Sequence, residues 1–360
     1  MKDLLEIIRS EIRHSVDNSI TYEKYMSLAL YHERFGYYRI DKQKVGRNGD
    51  FYTSTTVHDV FARVMASVIC KDFSNNLMDP VIVDVGSGDG RFIQSFLKEV
   101  KKIDALLYRK LTYYVIESSP YHQRLIKERA DSANIRIFSS LTDLQEEMPK
   151  LNGLIFSNEL LDAFPVRVLE QYEGELLEVC VGLDDENKLI EVYKPCTDVE
   201  TGTWMKQYGY PISRNQRFEV PLKMTDWLHR TCKWLSSGKI YTIDYGYSDV
   251  EWKDPARRRG SLRGYHNHQL ITDALRYPGQ MDLTTHIPID TVRKVGEQHG
   301  VNWISCEPQG TFLSKNGLWD YLIKPNPDKP FSLEQKQNRA VRWLAESNQF
   351  HVMVQEKNKH

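Results

Sequence analysis

The sequence predicts an α/β fold: a Rossmann-like, doubly wound sheet with an N-terminal helical extension and an inserted α+β subdomain. Three observations carry that expectation. A β-branched run, Val81, Ile82, Val83 and Val85, stops at Gly86-Ser-Gly-Asp-Gly90 and leads into a helix-like stretch, Arg91 to Lys102. Strand-like and helix-like segments then alternate as far as Ser157, the pattern of a parallel sheet. At Pro165 the alternation breaks into hairpin-like runs, and it resumes with the strand Lys239 to Asp244. The organisation expected is an extension and lid over 1–75, the first half of the core over 76–164, an insertion over 165–223, and the rest of the core over 224–360.

Leu4, Ile8 and Ile12 recur every fourth residue, so the chain opens with an amphipathic helix. Thr21 caps a second helix carrying Tyr22, Tyr25, Met26, Ala29 and Leu30, which Phe35-Gly-Tyr-Tyr38 ends. Gly46-Arg-Asn-Gly-Asp50 is a polar loop running into Phe51-Tyr-Thr-Ser54, a stretch suited to a lid. A third helix spans about Val57 to Phe73. After the glycine loop, Phe92, Ile93, Phe96, Leu97 and Val100 share one helix face. Tyr113 to Glu117 is the next strand, and Pro120 opens the next helix. Ile135 to Phe138 and Gly153 to Ser157 follow as strands, the second delivering Asn158, Glu159 and Asp162 to its carboxyl edge.

Val166 to Val181 and Lys188 to Tyr193 read as antiparallel strands, and Val199 to Val220 is mixed. A helix from Met224 to Leu235 leads back to the core. The segment 248–288 is long for a connection and is expected to be an active-site loop. A helix Asp290 to His299, a strand Asn302 to Cys306, a turn at Pro308-Gln-Gly310, a helix Leu333 to Glu346 and a strand Phe350 to Gln355 complete the chain.

Strand, glycine loop and helix N-terminus form a ligand-binding arrangement, because glycines admit close approach and the helix offers free N–H groups. The spacing is not that of the G-x-G-x-x-G dinucleotide fingerprint: the third glycine comes one residue early, and Arg91 holds its place. No G-K-[S/T] follows, which excludes a phosphate-cradling P-loop. Asp84 and Asp89 would repel a pyrophosphate, yet they suit the ammonium and sulfonium of S-adenosylmethionine. Asp84, Gly86, Gly88 and Gly90 are therefore cofactor-binding candidates. Glu117, at a strand end, is placed for ribose hydroxyls.

The 360 residues are 41% hydrophobic and 27% charged, with a formal net charge of −1, so no global field draws nucleic acid or an anionic membrane. The apolar runs are too short to span a bilayer. Five scattered cysteines without a C-x-x-C, and a start lacking a signal-peptide core, lead to the expectation of a cytoplasmic protein with reduced thiols. Arg257-Arg-Arg259 reads as a solvated loop. No metal site is expected. A metal-dependent hydrolase built on His266, His268, Asp282 and His286 is the rival reading.

The chain also resembles the MidA family of class I methyltransferases. The resemblance rests on Tyr25-Met26, Gly36-Tyr-Tyr38, Gly49-Asp-Phe51 with Thr53-Ser54, Asp84 to Gly90, Asn158-Glu159, Asp162 and Pro165. It continues through Asp244-Tyr-Gly246, Leu262-Arg263 with Tyr265, Asp282-Leu-Thr284 with His286, and Gln309-Gly310 with Phe312-Leu313. Where the family has Pro-Glu after Thr-Ser, this chain has Thr55-Thr56, and Asp59 stands where a Gln is usual. The resemblance implies a seven-stranded class I sheet whose last strand is antiparallel, and an added domain over the active face. It implies S-adenosylmethionine as cofactor and methylation of a protein arginine at an ω-nitrogen. It adds Gly49, Thr53 and Asn158 to the cofactor contacts. Within this reading Glu159 and Asp162 clamp a guanidinium, and His286 orients the acceptor or takes its proton. A protein substrate is expected, with neither nucleic acid nor membrane as partner. A homodimer is left open, as are a small-molecule acceptor and a non-catalytic, cofactor-binding assembly factor.

Overall fold

The computed structural model describes residues 2–41, 58–75, 78–130, 134–209, 212–324 and 332–359, so Gly49, Thr53 and the Thr55-Thr56 departure lie outside the described residues. Helix Lys2–His14 turns Leu4, Ile8 and Ile12 inward. Strand β1 (Ser19–Thr21) leads into helix Tyr22–Tyr31, where the Thr21 side chain accepts the Lys24 N–H at 3.1 Å as the cap that the sequence predicts.

The core strands are β2 (Val81–Val85), β3 (Thr112–Ile116), β4 (Ile135–Phe138) and β5 (Leu151–Asn158). A second group follows: β6 (Arg167–Tyr172), β7 (Glu175–Leu183), β8 (Leu189–Pro195) and β9 (Arg217–Val220). The chain then returns to the core through β10 (Leu235–Asp244) and the short β11 (Gly246–Tyr247). The segment expected as an active-site loop holds a small antiparallel sheet of order β13-β12-β14: β12 (Arg263–His266), β13 (Gln269–Ile271) and β14 (Asp282–Thr284). After β15 (Ile287–Pro288) come β16 (Asn302–Pro308) and β17 (His351–Lys357).

The main sheet runs β16-β17-β10-β5-β2-β3-β4. β10, β5, β2, β3 and β4 are parallel, whereas β17 is antiparallel to both β10 and β16. This is the class I methyltransferase sheet, with its last strand reversed. Register aligns the carboxyl ends: Val85 lies opposite both Ile116 and Ser157, and Ile243 lies opposite Asn158. Alternation along the strands feeds two apolar layers. Ile82, Val115 and Phe156 pack with helices Val60–Asn75, Arg91–Ile103 and Leu333–Ala345. Val83, Ile116 and Ile155 pack with Leu222–Trp234 and Ile289–Gln298. Each large apolar side chain fully buried in this way contributes about 1.5–3 kcal/mol.

A second, antiparallel sheet runs β1-β7-β6-β9, with β8 on the far side of β7. Its apolar face cannot be covered by the insertion alone. Leu4 and Tyr25 from the N-terminal helices, Val168 and Val179 from the insertion, and Met281 and Leu283 from the segment around β14 share one buried cluster. The span 165–223 is thus the middle of a layer that two distant stretches complete. The turn expected at Pro308-Gln-Gly310 is the start of helix Gln309–Lys315. Gly310 serves packing there, since a Cβ would lie 2.2 Å from the Ala345 carbonyl oxygen. No helix of the described residues is long and apolar enough to cross a membrane.

Candidate functional site

The carboxyl ends of β2, β3 and β5 open into a cleft, and Gly86 and Gly88 line its floor. With Gly90 just beyond, they have φ of 76°, 59° and 82°, a conformation L side chains rarely adopt. At Gly88 an added Cβ would meet nothing within 4 Å, so the glycine keeps the floor clear for a ligand. At Gly90 it would stand 3.1 Å from the Ile126 Cα, so that glycine is required by packing. Gly90 is also the N-cap of helix Arg91–Ile103, and the Asp89 carboxylate accepts the first helical N–H, that of Arg91, at 3.2 Å.

Glu117 follows β3 directly. Its carboxylate accepts the Gly88 N–H at 2.9 Å and the Ser119 N–H at 2.8 Å, fixing the loop while keeping lone pairs for ligand hydroxyls. Asp84 is buried beneath the loop and accepts the Tyr113 hydroxyl at 2.9 Å. Burial pushes its pKa up to about 7, against the hydrogen bonds of Tyr113 and Ser87. Asp89 departs from its expected part. Its carboxylate is met by Arg129 at 2.7 Å and Arg91 at 3.0 Å, so its charge is neutralised within the protein.

Asn158 stands at the boundary between the two halves of the cleft. Its amide nitrogen donates to Glu159 Oε1 at 3.1 Å, and its Oδ1 is buried with no hydrogen-bond partner. A buried acceptor of this kind needs a donor from a ligand. Open space over Gly88, that acceptor and the carboxylates of Asp84 and Glu117 fit S-adenosylmethionine, which carries an ammonium and a ribose diol.

The acceptor half is organised from beneath. Asp244 ends β10 fully buried, and its Oδ2 takes the backbone N–H groups of Leu160 at 3.2 Å, Leu161 at 2.8 Å and Asp162 at 3.4 Å. This grip holds a tight turn in which Glu159 has φ 52°, costing roughly 1–2 kcal/mol for a residue with a Cβ. Asp244 thus stands at the carboxyl edge of the sheet, below the turn and not among the residues that line the cleft. Asp162 accepts the Thr284 hydroxyl at 2.7 Å through Oδ2, while Oδ1 is buried without a hydrogen bond of normal length. Burial holds Asp162 and Asp244 both above the ordinary carboxylate range, and Asp162 raises Asp244 further.

Three further residues that sequence reasoning did not assign to the site close this half. Tyr31 and Tyr38 stack with centroids 5.5 Å apart, and the Tyr38 hydroxyl donates to Asp282 Oδ1 at 2.5 Å. All three line the cleft. Tyr38 and Asp282 stood in the Gly36-Tyr-Tyr38 and Asp282-Leu-Thr284 motifs, and Asp282 also in the rival metal reading, whereas Tyr31 carried no signal.

His286 is not brought into the cleft. It lies behind Tyr245, with ring centroids 5.7 Å apart, and stacks on Tyr247 at 4.3 Å. Its Nε2 faces an Arg263 nitrogen at 3.3 Å. Burial, then the nearby Arg263, pushes its pKa down to about 3, so the ring is neutral at physiological pH and a poor proton acceptor. Its expected role toward the acceptor is corrected to packing behind Tyr245. His266 is held by the Gln280 carbonyl at 2.9 Å and stacks on Tyr277. Among the described residues no group of three or more His, Cys, Asp or Glu is placed to hold a metal.

Comparison with known proteins agrees with this geometry. The chain is 24% identical over 347 residues to the mouse mitochondrial protein arginine methyltransferase NDUFAF7, spanning 88% of this chain and 75% of the relative. It is 23% identical to the Drosophila melanogaster homologue, over 81% of this chain and 70% of that one. A Burkholderia thailandensis protein crystallised with S-adenosyl-homocysteine superposes with a TM-score of 0.88 at 23% identity, covering 99% of this chain and 92% of that one. A native crystal structure from the same organism gives 0.85 at 22% identity, with the same coverage. The model of the S-adenosyl-L-methionine-dependent methyltransferase family Methyltransf_28 matches residues 62–306, and this chain belongs to that family.

Proposed function

We propose that this methyltransferase acts on an ω-nitrogen of a protein arginine. One observation carries the reading. The described residues lining the cleft include Glu159, Asp162 and Asp282 in its acceptor half and no Lys or Arg anywhere. Buried carboxylates without a counter-charge are costly, and a guanidinium is planar, cationic and suited to bidentate pairing. The relatives named protein arginine methyltransferases support the same class of acceptor.

When bound, S-adenosylmethionine supplies an electrophilic methyl group on a sulfonium. The chain's residues have to orient one guanidinium nitrogen, exclude water and take the proton that this nitrogen gives up. Glu159 and Asp162 hold the planar cation from one side, and the Tyr31 and Tyr38 rings close the other. Asp162, held above the ordinary carboxylate range, is a better proton acceptor than an exposed carboxylate. A neutral hydroxyl acceptor would bring these acids no positive charge.

The test uses methyl-labelled donor with a lysate of the source cell, comparing wild type with Glu159→Gln and Asp162→Asn. Both changes keep side-chain shape and remove charge. Label in protein, recovered as methylarginine and reduced at least about 100-fold in each variant, is the expected result. Label in RNA or a small metabolite, or equal labelling by the variants, overturns the reading.

A further inference from the structure

Arg258 and Arg259 are exposed, as the sequence predicts, but the backbone that carries them is fixed. Arg257 is engaged locally, with Asp254 at 2.9 Å and its guanidinium 4.1 Å over the Tyr247 ring. The next two residues are fixed onto the second sheet: the Arg258 carbonyl accepts the Arg217 N–H at 2.7 Å, and Arg259 bridges to Arg217. On the other side the Glu219 carboxylate takes the N–H groups of Ser261 at 2.9 Å and Leu262 at 3.1 Å. A backbone held at both ends presents Arg258 and Arg259 to a groove of about 1150 Å³, which Arg217 and Arg263 also line.

The charges in this groove are unevenly matched. Arg217 is neutralised by Glu170 at 3.2 Å and Glu191 at 2.7 Å, and Glu219 is occupied by the amides. Among the described residues, the side chains of Arg258 and Arg259 make no hydrogen bond or ion pair. Arg263 faces only the neutral His286, and its Nε is out of reach of water with no hydrogen-bond partner. Three guanidiniums without acid partners, one of them with an orphaned buried donor, make a site for an oxyanion.

The groove also adjoins the acceptor half of the cleft. Arg263 in β12 is paired with Thr284 in β14, and Thr284 donates to Asp162. A strand pairing and a hydrogen bond thus link an arginine of the basic groove to an acid of the acceptor site. We propose that the groove docks acidic side chains of the polypeptide that carries the methyl acceptor; this rests on the protein-arginine reading above. A cationic acceptor flanked by acids in its own chain would meet carboxylates in the cleft and guanidiniums beside it. That pattern selects against an arginine set among other basic residues. RNA fits less well, since the described residues lining the groove offer a single aromatic ring, Tyr193, and no platform for successive bases.

The test uses the full chain and a fluorescein-labelled hexaglutamate peptide, read by anisotropy at low salt. Wild type is compared with the double variant Arg258→Ala, Arg259→Ala, whose residues lie outside the cleft. Affinity for the peptide should fall by about tenfold in the variant and weaken with added salt, while S-adenosyl-homocysteine affinity by calorimetry stays the same. Equal binding by both proteins, no binding by wild type, or displacement of the peptide by equimolar inorganic phosphate or a single-stranded RNA would overturn the proposal. The labelling experiment separates the two readings. Methylarginine formed without hexaglutamate binding removes the groove alone. Hexaglutamate binding with label outside protein removes the acceptor reading and the docking role with it.

Discussion

The two halves of the cleft are built in opposite ways. The cofactor half comes from one strand, turn and helix, Val81 to Ile103, with Glu117 from the neighbouring strand end. The acceptor half draws Tyr31 and Tyr38 from the extension, Glu159 and Asp162 from the turn after β5, Tyr245 from after β10, and Asp282 from β14. Its bonds span 244 residues from Tyr38 to Asp282 and 122 from Asp162 to Thr284. A cofactor gripped by glycine backbone and a strand-end carboxylate can be specified locally. An acceptor pocket made of converging side chains exists only once the second layer has packed on the first. Substitutions in the first half should therefore change cofactor affinity, and those in the second should change turnover.

The largest expected effect is on stability, and it contrasts the buried acids of both halves with ordinary surface carboxylates. Unfolded, Asp84 has a pKa near 4; folded, it is pushed up to about 7. Between those values the folded chain binds more protons than the unfolded one, so stability falls as pH rises through that window and the loss is complete above the folded pKa. For Asp84 the loss is on the order of 4 kcal/mol, and Asp162 and Asp244 act in the same direction. Urea denaturation of the cofactor-free protein should give a lower midpoint at about pH 8 than at about pH 5, with Asp84→Asn removing much of the difference. An unchanged slope in the variant would mean that Asp84 stays ionised in the fold.

A second change addresses the cofactor half alone. Gly88→Arg places a long side chain in the open space above the floor, where an added Cβ meets nothing within 4 Å. Calorimetry should show S-adenosyl-homocysteine affinity reduced about 100-fold, equivalent to about 2.7 kcal/mol. Thermal unfolding should move by only a few degrees, the cost of a left-handed φ. Retained affinity would put the cofactor elsewhere. A collapse in stability would mean that the loop is packed rather than open.

How much was legible in the sequence follows the same division. That Asp84, Gly86, Gly88 and Glu117 share a cleft could be read, because their placement depends on neighbours in the chain or on strand-end topology. Asp89 misled, since the sequence does not reveal that Arg129 folds back onto it. Tyr31 and Tyr38 were not assigned to the site, because nothing local shows that Asp282 will stand near them. His286 sits in a motif with Asp282, yet the strand pairing that puts Thr284 on Asp162 leaves His286 behind Tyr245. Gly310 looked like a turn because a glycine after a proline is a common turn signal. Its actual reason, contact with the Ala345 backbone, lies in a helix far along the chain.

The smallest expected effect is the sharpest probe of whether the halves act separately. Tyr38→Phe keeps the ring that stacks on Tyr31 and removes only the hydroxyl that donates to Asp282. The lost bond has a charged partner, so the change is worth about 1–2 kcal/mol, part of it offset by whatever else solvates Asp282. Asp282 would then be freer to swing from its place beside Asp162, and the acceptor pocket would loosen without moving the glycine loop. KM for the protein acceptor should rise about five- to tenfold, with S-adenosyl-homocysteine affinity unchanged and little loss of thermal stability. Tyr38→Ala, which also removes the ring, should raise KM further while still sparing cofactor affinity. If Tyr38→Phe weakens S-adenosyl-homocysteine as much as it weakens the acceptor, Tyr38 and Asp282 belong to the cofactor site, and the division between a locally encoded half and a long-range half fails at this residue pair.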